Sequence, residues 1–403
     1  MKKTLQDLPP SVLSGAAVAL RADFNVPLDR DAVADPSRIE RTLPTIGHLV
    51  SHGARVVILS HLGRPGGRIR PQLTLEPIAG HLGSVIEGPV SFLPCSDGDP
   101  VRAAVAGMAP GSVMLFENTR FLAGETAGDP ALADDWAGWA DHFVMDAFGT
   151  AHRSHASTVG LPRAVKRNGG QAVAGSLVAS EIEALGAVLQ NPRRPYVAVV
   201  GGAKISGKID AIQALLDRAD ALLIGGAMAN TFFGALGLET GASLTEPEKW
   251  ETARRLIAAA GPRLVLPVDC TVAAAIDPGL ETHAVDRSEV GPTDAIGDLG
   301  PVSVELFGRY LAAAGTVVWN GPMGAFEVEA FARGTLGVAT SAAVAADRGA
   351  TVLIGGGDSA AAARMAGVAT RITHISTGGG AALAFLAGKQ LPGIEALSDL
   401  APT

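Results

Sequence analysis

The chain reads as an α/β protein of two domains, each a parallel sheet flanked by helices, joined by a helical hinge. Short β-branched or aliphatic runs end abruptly in polar or glycine-rich turns, and Ala/Leu-rich stretches of helical period follow them. The runs are apolar without strict alternation, as parallel strands buried on both faces are. The 403 residues, 47% of them hydrophobic, are enough for two ordinary cores.

In the first half the strands are AVAL ending in RADFN, VVIL ending in SHLGRP, VMLF ending in ENTRF, and FVM ending in DAFGT. In the second they are VAVV ending in GGAK, ALLI in GGAMAN, VVW in NGPMG, VLI in GGGDS, and HIS in TGGG. Between the halves, Val178 to Gln190 (VASEIEALGAVLQ) has helical spacing and stops at Asn191-Pro192. The expected division is a first domain over 1–173, a connector over 174–190 and a second domain over 191–388. Two such Rossmann-like sheets would bind ligands beyond the carboxyl ends of their strands, where these turns fall.

Composition narrows the class. The formal charge is -8, from 32 Lys+Arg against 40 Asp+Glu, whereas a bulk nucleic-acid binder leans the other way. No nucleic-acid partner is expected. Cys95 and Cys270 lie far apart, outside any CxxC pattern, which excludes a disulfide scaffold and suits a reducing cytosol. The start, MKKTLQDLPPSVL, lacks the apolar segment of a signal peptide. Ala221 to Leu238 is free of charge over 18 residues, the length of a membrane span. It contains Asn230, Thr231 and the pair Gly225-Gly226, so it reads as strand, turn and helix. A cytoplasmic, monomeric protein away from membranes is the expectation.

The first-half turns bring Asp23, Asn25, His61, Arg64, Arg120, His152 and Arg153 to strand ends. Arginine pairs bidentately with carboxylate and phosphate. Arg38, Arg64, Arg120 and Arg153, with His61, would neutralise a multiply charged small molecule, and Asp23 and Asn25 would address a hydroxyl. Each alone is as readily an ion-paired surface residue. Several together at strand ends point to a site.

The second half carries phosphate-binding patterns. GGAKISGK matches G-x-x-x-x-G-K from Gly202, but Ile209 stands where a P-loop needs Ser or Thr for magnesium. GGGDSA, Gly355 to Ala360, fits a dinucleotide fingerprint but lacks the later acidic residue for a ribose. HISTGGGAALAFL sets Gly378, Gly379 and Gly380 at the mouth of a helix. Glycine there costs about 0.5–1 kcal/mol against alanine inside an element, and an ordinary turn needs only one. Bare N–H groups at a helix start bind anions, and two such mouths imply polyphosphate. Asp358, among the first set of glycines, is either a magnesium ligand or a helix N-cap.

RADFNVPLD, SHLGRP, ENTRF, DAFGTAHRSHAST, GGAKISGKI, GGAMANTF, LPVDC, VVWNGPMGAFE, GGGDSAAA and HISTGGGAALAFL resemble, in order, the motifs of the phosphoglycerate kinase family. The resemblance covers essentially the whole chain. It implies a first domain binding 3-phosphoglycerate or 1,3-bisphosphoglycerate through Asp23, Asn25, Arg38, His61, Arg64, Arg120 and Arg153. It implies a second domain binding ADP or ATP with Mg2+ through Lys204, Lys208, Glu327 on the ribose, and Gly355, Gly356, Gly357, Asp358 and Ser359, with Asp358 on the metal. The final segment, 389–403, is expected to return to the first domain. Departures from the family pattern are Gly207, where an Asp is usual, Ile296 near the adenine, and Ala179 and Ser180 in the connector.

The implied reaction is glycolytic: reversible phosphoryl transfer between 1,3-bisphosphoglycerate and MgADP, in line, after domain closure that excludes water. The carboxylate that leaves has a pKa of about 4 and needs no general acid or base. Positioning and charge stabilisation remain. Arg38, Lys204 and the amides of Gly378, Gly379 and Gly380 are the candidates for that work. The rivals are a P-loop-like NTPase, which Ile209 argues against, and a non-catalytic nucleotide-binding protein, which would not need the arginine set.

Overall fold

A computed structural model describes residues 1–30 and 32–400, and the last three positions of the segment 389–403 lie outside the described residues. The chain forms two compact units, Met1–Glu183 with the segment from Gln390 onward, and Ala184–Lys389. Every apolar run picked out above is a strand in one of two six-stranded sheets.

In the first unit the strands of the six-stranded sheet are β1 (Ala17–Ala22), β2 (Arg55–Leu59), β3 (Val90–Leu93), β4 (Val113–Phe116), β5 (His142–Asp146) and β6 (Ala172–Ala174). They pair in parallel in the order β3-β4-β2-β1-β5-β6. The chain leaves β1 through β2 on one side and returns through β5 on the other, so the topological switch lies at β1, where open sheets bind ligands. β1 is buried along its whole length. Its Val18, Leu20 and Ala22 pack with Ile46, Leu49, Ile78 and Leu82.

The second unit holds β7 (Tyr196–Val200), β8 (Ala221–Ile224), β9 (Leu264–Val265), β10 (Asp269–Ala273), β11 (His283–Asp286), β12 (Ala295–Leu299), β13 (Thr316–Asn320), β14 (Thr351–Gly355) and β15 (His374–Ser376). The parallel sheet runs β9-β8-β7-β13-β14-β15, and its core includes Val199, Leu223, Trp319 and Ile354 with Phe307 and Val338. A separate antiparallel sheet, β11-β10-β12, was not expected from the sequence. Its outer strand β11 is largely exposed and has no apolar run to announce it. The short edge strands β3, β6 and β9 also escaped the pattern.

The connector is helix α1 (Ser176–Gln190), and the passage from one unit to the other falls within it, after Glu183. The first N–H groups of a helix need acceptors. Asp146 Oδ1 accepts from Leu177 and Val178 at 3.0 and 3.2 Å, and Thr45 Oγ1 accepts from Ser176 at 2.9 Å. Burial raises the Asp146 carboxyl to about 7. The stretch from Ala221 forms β8 and then helix α2 (Met228–Ala235). Among the described residues no helix is long and apolar enough to cross a membrane. The terminal segment lies on the first unit, with Gly393 N–H donating to Ala151 O at 2.8 Å and Ser398 N–H to Ala172 O at 2.7 Å.

Candidate active site

The first unit gathers its cations at the carboxyl ends of β1, β2 and β4. Arg38 Nη1 donates to Asp23 Oδ2 at 2.8 Å. Asn25 Oδ1 accepts the Gly63 N–H at 2.8 Å, and Arg120 Nη1 donates to Gly63 O at 2.8 Å. Both sides of Gly63 are thus held, which fixes the loop carrying His61 and Arg64. Gly63 has φ of +63°, and a Cβ there would press on Leu73, so glycine is required at this turn. His61 is buried, while Arg64 and Arg153 are exposed.

Asp23, Asn25, Arg38, His61 and Arg120 therefore form one contiguous set. Arg153 reaches it electrostatically through Arg120, and Arg64 follows on the same loop as His61. Burial drives the His61 pKa well below its usual value, and Arg21, Arg120 and Arg38 push the same way, so the imidazole is neutral. Burial also lowers the Arg120 pKa, with Arg21 adding to the shift. Arg120 Nε and His152 Nδ1 are buried with no hydrogen-bond partner among the described residues. Asp23 is the one carboxylate of this set against Arg38, Arg64, Arg120 and Arg153, an excess of positive charge suited to a small polyanion.

Sequence reasoning missed the layer beneath. Arg21, Glu125 and Ser157 are fully buried, and His155 nearly so. The available signal was an arginine interrupting the apolar run AVALRADFN.

The second unit uses its backbone. Helices α3 (Gly357–Met365) and α4 (Gly379–Leu386) start at the ends of β14 and β15. A Cβ on Gly379 would lie 2.6 Å from Gly356 Cα, so the two helix mouths lie directly side by side. Gly356 itself has φ of +102°, open to glycine alone without strain. Asn320, at the end of β13, joins the parts: its Nδ2 donates to Gly355 O at 2.8 Å and Gly379 O at 3.3 Å. Its Oδ1 accepts from Lys208 Nζ at 2.8 Å, and Lys208 also donates to Gly201 O at 2.7 Å. Burial pushes the Lys208 pKa down to about 8, against the raising effect of the Asp358 charge.

A helix leaves its first N–H groups without intrahelical acceptors. Gly378 N–H donates to Ser376 Oγ at 3.2 Å, so the unpaired donors of the α4 mouth begin at Gly379. Ser359 is buried and its Oγ accepts the Gly321 N–H at 2.7 Å, holding the NGPMG turn. Lys204 is exposed on the loop that follows β7. The buried Glu246 steadies that loop, accepting from Ile205 and Ser206 N–H at 2.6 and 3.2 Å. Burial works to raise the Glu246 pKa, but these bonds and the Lys204 charge outweigh it and lower it.

Beside the mouths is a cavity of about 370 Å³ bounded by Gly202, Asn230, Leu244, Ile296, Glu327 and Asp358. Among the described residues no cluster of three or more His, Cys, Asp or Glu could hold a metal by itself. One exposed carboxylate, Asp358, beside a phosphate-binding helix start fits Mg2+, which takes one or two carboxylates and draws its other ligands from phosphate and water.

A cation pocket on one α/β unit, and paired helix mouths with a nucleotide-sized cavity on the other, define a phosphotransferase acting on an anionic small molecule. The family model described as phosphoglycerate kinase matches residues 6–389. The chain is 46% identical over 402 residues to phosphoglycerate kinase of Thermosipho africanus, covering 99% of this chain and 98% of that one. It is 47% identical over 401 residues to that of Chlorobium luteolum, covering 98% and 99%. The solved phosphoglycerate kinase of Coxiella burnetii superposes with a TM-score of 0.83 at 38% identity, and that of Pyrococcus horikoshii with 0.85 at 32%, each covering 98% of both chains. The chain belongs to the phosphoglycerate kinase family and has its activity, nucleotide-dependent phosphoryl transfer with a carboxyl group as acceptor, a step of glycolysis. The P-loop NTPase reading falls with that assignment.

Proposed function

We propose that the first unit binds 3-phosphoglycerate or 1,3-bisphosphoglycerate through Asp23, Asn25, Arg38, His61, Arg64, Arg120 and Arg153. The second unit binds ADP or ATP through Lys204, Lys208, Glu327 and Gly355 to Ser359. The observation that supports this division most directly is the packing of Gly379 on Gly356, which sets two helix N-termini at one point, as a polyphosphate requires.

In the direction that forms ATP, a terminal phosphate oxygen of ADP attacks the acyl phosphorus. The bond from phosphorus to the carboxyl oxygen breaks, and its electron pair leaves on the carboxylate of 3-phosphoglycerate. That carboxylate, with a pKa of about 4, is a stable anion at neutral pH, so no proton moves. Arg38, oriented by Asp23, and Lys204 with the N–H groups at the α4 mouth stabilise charge on the moving phosphoryl group. Asp358 would hold Mg2+, which would supply positive charge to offset that of the phosphates. Asn320 keeps Lys208 and the glycine mouths in register before any ligand arrives. The protein acts as a cytoplasmic monomer, in keeping with its free thiols Cys95 and Cys270.

A coupled assay of ATP consumption with and without 3-phosphoglycerate, run on two variants, tests the assignment. Arg120→Ala should raise KM for 3-phosphoglycerate and leave KM for ATP near the parent value. Lys208→Ala should do the reverse. An exchange of those two patterns would overturn the division of sites.

A further inference from the structure

We propose that Arg21 is a positioning residue of the phosphoglycerate site: it donates into His61 Nδ1 and thereby presents His61 Nε2–H as a fixed, neutral donor to the substrate. The inference rests on the assignment of His61 to that site.

Arg21 lies within β1, fully buried in an otherwise apolar strand. A buried guanidinium is tolerated only when paired and fully hydrogen-bonded. Here its donors are nearly all used. Nε donates to Ser157 Oγ at 2.8 Å, and Nη1 donates to the carbonyls of Ala22 and, at 3.5 Å, Leu59. Nη2 lies 3.3 Å from His61 Nδ1 and 4.0 Å from Glu125 Oε1. Behind it, Ser157 Oγ–H donates to Glu125 Oε1 at 2.6 Å and Ser157 N–H to Oε2 at 2.9 Å. Glu125 is the buried counter-anion, and Ser157 relays its hold to the guanidinium.

A guanidinium has donors and no acceptor. The imidazole nitrogen that faces it must therefore accept, and a neutral imidazole that accepts at Nδ1 carries its proton at Nε2. The other groups facing His61 agree with neutrality. Arg120, Arg38 and His155 act with Arg21 against a second proton, and the carboxylate paired with His61 among the described residues, Asp23 Oδ1, stands 4.0 Å from Nδ1. Among the described residues nothing takes up Nε2–H. A donor of fixed direction and no charge suits a substrate oxygen in a pocket already rich in arginine.

The rival role for Arg21 is structural alone, an ion pair tying β1 to the segments bearing Glu125 and Ser157. In that role the tautomer of His61 would not depend on it. NMR of the full chain labelled with 15N-histidine separates the two, with His61 assigned by its loss in His61→Gln. The free protein at neutral pH should show His61 protonated at Nε2 and bare at Nδ1. Protonation at Nδ1, or an averaged mixture, would overturn the proposal while leaving the site assignment standing. Saturating 3-phosphoglycerate should then shift Nε2 far more than Nδ1. No response of His61 to the ligand would remove the site assignment, and the proposal with it.

Variants add a second readout. Arg21→Lys should average the His61 tautomers and raise KM for 3-phosphoglycerate about tenfold, the size of one charge-assisted hydrogen bond, with KM for ATP unchanged. Ser157→Ala, which spares the charges should Arg21→Lys fold poorly, should move both quantities in the same direction by less. A lowered melting temperature with tautomer and KM intact in these variants would show the structural role and sink the proposal.

Discussion

In the proposed assignment the two units handle anions by opposite means. The first uses side-chain charge, and the second uses backbone N–H groups left bare by glycine. Side-chain charge must be restrained before it can recognise anything, so the first unit buries Glu125 and holds Asp23 against Arg38. Backbone donors are already fixed by the helix, so the second unit needs only space, which Gly356 and Gly379 provide by packing on one another. The contrast implies two kinds of fragility. The first site should fail when an atom is removed, and the second when one is added.

The addition should have the larger effect. In Gly379→Ala the new Cβ meets Gly356 Cα at 2.6 Å and Gly356 N at 3.0 Å, and backbone on both sides leaves no flexible group to yield. The mouths must separate, displacing donors of α3 and α4 together. Loss of one such donor costs about 10²–10³-fold in turnover, so kcat should fall about 10³-fold or more. Steady-state kinetics on a variant with a parent-like circular dichroism spectrum checks this, and a mild loss would break the backbone half of the comparison.

Removal comes next. Arg38→Ala deletes the guanidinium that Asp23 aims, and kcat should fall about 10²-fold, by analogy with one oxyanion donor. MgADP affinity, measured by calorimetry, should barely change. A rise in KM for 3-phosphoglycerate with kcat held would make Arg38 a binding residue only.

The contrast also explains what the sequence made legible. Strands β1, β2, β4, β5 and β7 announce themselves by apolar runs, and the glycine mouths by composition. Residues placed by strand ends, such as Asp23, His61 and Arg120, follow from that pattern. Asn320 does not, because its role depends on β13 pairing with β14 so that it stands opposite Gly355, a register that no local pattern encodes. Glu125 and Ser157 are invisible for a related reason: each is an ordinary polar residue until folding places both behind Arg21. The cavity beside Ile296 arises from packing between elements distant in sequence. Local pattern reveals which backbone ends where, and long-range register decides which side chains meet there.

Lys208 is a point where the second unit does rely on a side chain, and it should make that unit pH-sensitive. In the free protein its pKa is pushed down to about 8 by burial. Phosphate nearby favours the charged amine and raises that value, so nucleotide binding near and above pH 8 should take up a proton. Affinity should be full below pH 8 and fall about tenfold per pH unit above it. Stability of the free protein should move oppositely. A lysine whose folded pKa lies below its unfolded value of 10.5 destabilises the native state below pH 8, and that penalty is relieved as pH rises from about 8 toward 10.5. Calorimetry at pH 8.5 in buffers of different ionisation enthalpy measures the uptake. Equal apparent enthalpies in all buffers would show that Lys208 does not meet phosphate.

The smallest expected effect comes from adding an atom where the second unit has room. A Cβ on Gly207 would touch nothing within 4 Å, and its φ lies outside the positive range, unlike Gly202 and Gly356. Gly207→Asp also restores the residue usual in the family, between Lys204 and Lys208 in sequence. Its carboxylate would orient a lysine while drawing some of that lysine's field from phosphate, two effects of opposite sign. The variant should fold as the parent does and bind MgADP within roughly tenfold of it, about 1.4 kcal/mol. Were the loop a P-loop, the Gly207 N–H would approach phosphate closely, and a carboxylate there would repel it and abolish binding. Calorimetry with MgADP on the folded variant distinguishes the two. Loss of binding would mean that the nucleotide reaches the Gly201 to Lys208 loop more closely than the α3 and α4 mouths, and the account of the second unit as a pair of glycine-lined helix starts would have to be redrawn around that loop.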